Sequence, residues 1–193
     1  YNIVYASSIK WFYSNYNFYG EVFSMSEYVE DSSNTIFQVF NEFAEFLNCI
    51  YFFHMSDNKH IKNMVLNSMR SHVRAISDFF LKTNDGKYKD DLRYVDILNT
   101  TDDLSISVSV DIRTFINKST AHISKKRGTL SFDNKEYYDL VKQMILTIRD
   151  FMDRCETSLK AEYQNDFQSE DVKIQKDFIN KRLEQVGECL INA

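Results

Sequence analysis

The chain contains no proline and only four glycines in 193 residues. Proline breaks helix interiors and glycine supplies most tight turns, so their scarcity predicts long helices joined by short polar loops. An all-β fold needs many tight turns, and the residues for them are missing. Cysteine is also sparse: Cys49, Cys155 and Cys189 stand far apart, odd in number and without Cys-x-x-Cys spacing. That pattern offers neither a disulfide framework nor a zinc site, and it reads as buried thiols in a reducing compartment. The longest purely apolar run, Cys49–Phe53, falls far short of a membrane span, and no signal peptide is visible. A cytoplasmic protein without membrane association is expected. The chain opens on Tyr1 rather than Met, so a preceding N-terminal piece is also expected. Positive charge is in deficit, with 23 Lys and Arg against 28 Asp and Glu and a net charge of −5. A surface coated in basic residues for general nucleic-acid binding is thereby excluded, though a local basic patch is not.

Aromatic residues, by contrast, are plentiful: 16 Phe and 12 Tyr, enough to fill the core of one domain of this length. The organisation predicted is a single helical-bundle domain over residues 1–193, with its core at about 31–160 and a helical appendage at 161–193. Tyr1–Tyr19 is rich in aromatics around a single Lys10, which favours core packing over a base-stacking platform, and a first helix is predicted over Asn2–Asn15. Ile36, Phe40, Phe43, Leu47 and Ile50 follow in steps of three and four, marking a helix that ends near His54. Asp57 or Asn58 caps a second, from Lys59 to Lys82, with Val65, Met69, Val73, Ile76 and Phe80 inward. Asp90–Leu98 is long enough for one or two turns. Leu104–Val110 alternates apolar residues with serine in strand-like fashion, but no partner strand is visible, so a helix from about Asp103 to Ile123 is favoured. Tyr137, Val141, Met144, Ile148, Phe151, Cys155 and Leu159 form the seam of a long helix. Val172 to Leu190 make a last amphipathic one. The fold class is all-α, an antiparallel bundle of about six helices, with the Ser105–Ser124 helix at its centre.

Chemistry concentrates at Asp111–Arg127. His122 follows Lys118 by one turn and precedes Lys125, Lys126 and Arg127. Like charge would hold its imidazole neutral, fit to act as a general base with a neighbouring cation stabilising a developing phosphorane. The plainer reading is a histidine that hydrogen-bonds a carbonyl and locks a helix end. His72, near an apolar face, reads as a satisfied core residue. Asp90, Asp91 and Asp96, interleaved with Lys87, Lys89 and Arg93, read as a salt-bridged surface before a cation site. No EF-hand loop, zinc spacing, P-loop, dinucleotide fingerprint or nucleophile elbow occurs, so neither a metal nor a cofactor is expected.

Asn117-Lys118-Ser119-Thr120-Ala121-His122 resembles the signature of the HEPN superfamily, compact α-helical bundles common in prokaryotic toxin and defence systems. Active members carry Arg, a polar residue, four variable residues and His. Aligned on His122, Asn117 fits the polar position, while Ile116 stands where those members carry Arg. A bacterial branch of the superfamily is similar over about Ser68–Asp150: it has a stretch like Ile116–His122 followed by basic residues, an upstream His-x-Arg matched by His72 and Arg74, and an acidic segment between. The resemblance implies a metal-independent endoribonuclease with His122 and Asn117 as catalytic residues, or a non-catalytic or weakly catalytic relative. That relative would bind a nucleotide or RNA phosphate through His72, Arg74, Lys118 and Arg127. It also implies a homodimer and a toxin–antitoxin or defence setting. Arg113 is nine residues from His122, half a turn away in angle, and so lies near Asn117 instead; Arg74 or Arg127 is the better substitute for the missing Arg. A protein–protein interaction module, docking through Tyr1–Tyr19, is the reading from a different class.

Overall fold

The computed structural model describes residues 34–81, 91–120 and 135–191. The expected first helix, the Tyr1–Tyr19 segment, the stops at Gly86 and Gly128, the caps at Asp133 or Asn134, and the Cys189 side chain all lie outside the described residues. Seven α-helices and no strand occur among the described residues. They are α1 (Thr35–Met55), α2 (Lys59–Phe79), the short α3 (Tyr94–Ile97), α4 (Val110–Thr120), α5 (Lys135–Ser158), the short α6 (Gln164–Phe167) and α7 (Glu170–Ile191). None is long and apolar enough to cross a membrane. The described residues form an all-α helical bundle.

Polar side chains fix the ends of the first hairpin. Asn34 Oδ1 accepts from the Phe37 amide at 2.8 Å and caps α1. Asn58 Oδ1 accepts from the His60 and Ile61 amides and opens α2. Each such cap satisfies amides that a helix start leaves without partners. The three-residue turn between α1 and α2 forces the pair antiparallel.

The centre of the bundle is α1, not the helix at Ser105–Ser124. Its predicted stripe, Ile36, Phe40, Phe43, Leu47 and Ile50, is buried, but so are Val39, Ala44, Phe46, Asn48 and Cys49. A helix apolar on two sides needs two neighbours; α1 packs on α2 on one side and on α7 on the other. Along α7, Gln175 donates to Asn41 and Arg182 Nε donates to Asn48, while Ser169, just before α7, accepts from Asn34. The sequence separation stays at 134 or 135 across all three contacts, so α7 runs parallel to α1. Arg182 lies 4.1 Å above the Tyr51 ring and 5.2 Å from that of Phe178, holding the far end of the pair together.

Phe43 is the hub of the core. Its ring stacks on Phe80 at 5.9 Å and meets Phe151 edge-on at 5.8 Å, and Phe79 meets Phe151 at 5.3 Å. Helices α1, α2 and α5 converge there. Phe80 also contacts Tyr94 of α3 at 6.0 Å.

Residues 103–109 are extended rather than helical. Leu104 and Ile106 are buried and Ser105 and Ser107 less so, a two-residue alternation that fades at Val108, half-buried, and is lost at Val110, which opens α4 and is 80% exposed. Among the described residues no strand pairs with it. The Ile106 amide instead donates to the Phe80 carbonyl at 3.2 Å, which the end of α2 leaves open. Asp103 Oδ1 accepts from the Ser105 amide and turns the chain. Ser109 Oγ accepts from the Ile112 amide at 3.3 Å, so α4 begins seven residues later than the apolar pattern predicts. Upstream, Arg154 of α5 donates to Asp150, Asp102 and Thr100, clamping the preceding loop. The Arg93 amide donates to Asp96 at 2.9 Å, giving that carboxylate the role of a cap on α3.

Two substitutions test this packing by chemical denaturation. Phe43→Ala removes the hub ring and should cost about 3–5 kcal/mol. Gly187 sits inside α7 with nothing within 4 Å of an added Cβ, so Gly187→Ala should stabilise by about 0.5–1 kcal/mol.

Candidate functional site

Helix α2 separates the two members of the His-x-Arg pair. Residues two apart on an α-helix point about 200° from one another. His72 turns toward α1, and Arg74 turns toward α4. The His72 side chain is 14% exposed and its Nδ1–H donates to Glu42 Oε1 at 2.7 Å. On the other ring nitrogen, Nε2 lies 3.4 Å from Ser68 Oγ, one turn earlier on α2. Cys49 completes the surroundings from α1, buried beside the ring.

Burial alone would push the His72 imidazole down, but the hydrogen bonds with Cys49 and Glu42, and the Glu42 charge, outweigh it and raise the pKa to about 10. Burial raises the nearby Glu45 carboxyl as well, with the His72 charge opposing. At neutral pH His72 is therefore a cation whose two N–H groups both donate. The order Ser68–His72–Glu42 has the outline of a nucleophile, base and acid, but a charged ring cannot take a proton from Ser68. Ser68 also lies in the middle of a helix, where the amides that would stabilise an oxyanion are engaged in the helix itself. The group is an ion pair tying α2 to α1, in keeping with the core role read for His72.

The other face of α2 carries Arg70, Arg74 and Asp78 in steps of four. Arg74 Nε approaches Asp78 Oδ2 at 3.9 Å, and Arg113 of α4 approaches Asp78 Oδ1 at 3.5 Å. Both guanidinium side chains are nearly half exposed, at 46% and 42%. Arg70 is buried, donates to Asn67 at 3.1 Å and lies 5.1 Å from the Phe115 ring of α4. Phe115 in turn meets Tyr137 of α5 at 5.8 Å, where burial pushes the phenol up. Arg113 therefore meets the later end of α2 and Phe115 an earlier turn, so α4 runs antiparallel to α2. Asn117, half-buried and one turn beyond Arg113, falls toward the Arg70 end of this interface. Burial raises the Asp78 carboxyl, with the charges of Arg113 and Arg74 opposing.

The structure thus brings Arg74 and the Asn117 helix to one face and sends His72 to another. For Lys118 the backbone alone is described, and His122 and Arg127 lie outside the described residues. Arg70 and Asp78 were not picked out by the motif. Their signal was present as spacing, since both stand four residues from Arg74. A shallow groove of about 270 Å³ opens beside the start of α5, lined by Ser107, Ser109, Glu136 and Asp139 among others. Its acidic wall is unsuited to a phosphate. Among the described residues no cluster of three or more His, Cys, Asp and Glu is placed to hold a metal ion.

The His72–Glu42 pair carries a pH signature. A histidine whose folded pKa lies above its unfolded value of 6.5 contributes its full stability below pH 6.5 and loses it as pH rises through about 10. Denaturation of the parent and His72→Gln across that range should show a gap that is widest at pH 6 and closes toward pH 10. A gap independent of pH would contradict the assignment. No protein-family model matches the chain, and comparison with curated proteins and with solved structures found no match.

Proposed function

We propose that this bundle is a HEPN-like domain, non-catalytic or weakly catalytic, that binds the phosphate of a nucleotide or RNA on the α2–α4 face. The observation that carries this reading is the pair of half-exposed guanidiniums, Arg74 and Arg113, drawn to one place by a single carboxylate. Guanidinium forks suit phosphate oxygens better than any other side chain, and two of them converging define an oxyanion position. Helix α4, which supplies Arg113, also carries Asn117 and leads toward the basic residues Lys125, Lys126 and Arg127 of the sequence. In a chain of net charge −5, such a local grouping of cations has few competitors for a polyanion. His72 serves this reading as a tie that steadies α2 rather than as a phosphate ligand. The domain works in the cytoplasm as a homodimer, the state the HEPN resemblance implies.

Titration calorimetry at low salt with mono-, di- and trinucleotides, beside a gel shift with mixed-sequence RNA, tests the proposal. Binding is expected in the parent and should weaken about tenfold or more in Arg74→Ala/Arg113→Ala, since each charge-assisted hydrogen bond contributes about 1.5–3 kcal/mol. No heat and no shift in the parent would sink it. Cleavage of the RNA in EDTA, abolished by His122→Ala, would instead make the protein a metal-independent endoribonuclease.

A further inference from the structure

We propose that Asp78 is a built-in competitor at the oxyanion position: its carboxylate stands between the Arg74 and Arg113 guanidiniums where a phosphate group would sit, and it must be displaced for that position to be filled. The inference rests on the reading of the α2–α4 face given above and adds the regulation of that face.

The geometry of Asp78 differs from that of a structural ion pair in the same protein. Arg154 donates to Asp150 at 2.9 and 3.1 Å and to Asp102 at 2.6 Å, the short distances of charge-assisted hydrogen bonds. Arg74 and Arg113 stand 3.9 and 3.5 Å from Asp78, beyond that range on both sides. One carboxylate is thus stretched across two cations and closes fully on neither. A phosphodiester brings two free oxygens to the same pair without the tether to the α2 backbone, so each guanidinium can be met at hydrogen-bonding distance.

The charges around Asp78 keep the exchange balanced. Arg113 faces it from α4 and Arg74 from its own helix, while Asp91 and Arg93, from the segment before α3, act on it with opposite signs. Replacing Asp78 with a neutral residue removes that internal anion, while α2 and α4 still carry Arg74 and Arg113 on the same face. Burial raises the Asp78 carboxyl despite both arginines, so the fold does not depend on its charge. The competitor also weakens with acidification: as pH falls toward the raised range of Asp78, the carboxylate is neutralised and the two arginines are released to the ligand.

The test uses the full chain and an RNA trinucleotide without terminal phosphates, whose phosphodiesters stay ionised over the range. Affinities are measured at pH 7.5 and 5.5 for the parent, Asp78→Asn, Asp78→Ala, Arg74→Ala/Arg113→Ala and the triple variant that adds Asp78→Asn to the last, with circular dichroism melts confirming that each is folded. At pH 7.5 Asp78→Asn and Asp78→Ala should bind about three- to tenfold more tightly than the parent, the effect of one partly exposed charge acting on two partners. The parent should gain more on acidification than either variant does. Equal or weaker binding by both Asp78 variants, with binding lost in the double arginine variant, would overturn the competitor and leave the binding face standing. Tightening that survives removal of both arginines would also overturn it. Binding by neither the parent nor the Asp78 variants would remove the phosphate-binding reading and this inference together.

Discussion

The ring cluster at Phe43, Phe79, Phe80 and Phe151 is the contact on which the rest of the described bundle depends. It fixes the end of α2 against both α1 and α5, and Phe80 then offers its carbonyl to Ile106. That one backbone bond aligns the extended stretch at 103–109, and the stretch delivers α4 onto α2 in the orientation that brings Arg113 to Asp78. The guanidinium pair is thus a consequence of aromatic packing about two turns away. Rings contribute large buried area with few rotatable bonds, so they hold such a register rigidly.

A second constraint works at the opposite side of α2. The Glu42–His72 pair locks the rotation of α2 about its axis relative to α1, because only one face of α2 can carry His72 to Glu42. Once that face is fixed inward, the 200° separation sends Arg70 and Arg74 outward to α4. One helix therefore ties to α1 on one face and presents Arg74 toward α4 on the other, the two divided by face rather than by position along the chain. Charge supports the division: the imidazolium is neutralised within its own pair, whereas Arg74 and Arg113 share one anion.

Much of the fold was legible in the sequence where local rules govern it. The stripe from Ile36 to Ile50, the Asn58 cap and the seam from Tyr137 to Cys155 reappear as predicted, since apolar periodicity and capping act within a few residues, while Leu159 falls just past the helix end. The centrality of α1 was legible in part: Val39, Phe46 and Cys49 lie off the chosen stripe and mark a second buried side. The parallel course of α7 was not, because it is fixed by contacts such as Arg182 with Asn48 across 134 residues. The Leu104–Val110 alternation matches burial at Leu104 and Ile106 without any partner strand, because packing against the core can hold a non-helical stretch in place, and it fails at Val110, where α4 begins. For the site, the opposite faces of His72 and Arg74 follow from helix geometry, and so does the common face of Arg70, Arg74 and Asp78. The identity of Glu42 as the partner of His72, thirty residues away, required the fold. So did the sign of the His72 shift, in which hydrogen bonding outweighs burial.

Under the proposed function, Arg74 and Arg113 together receive a phosphate. The side-chain Nε–Hε resonances of arginine report this directly, because each responds to the anion it meets. With ¹⁵N-labelled protein titrated with short single-stranded RNA, the resonances of Arg74 and Arg113 should shift in step and saturate together, while that of Arg154, held by Asp150 and Asp102, stays in place. Binding of RNA that leaves Arg74 and Arg113 unmoved would contradict the claim.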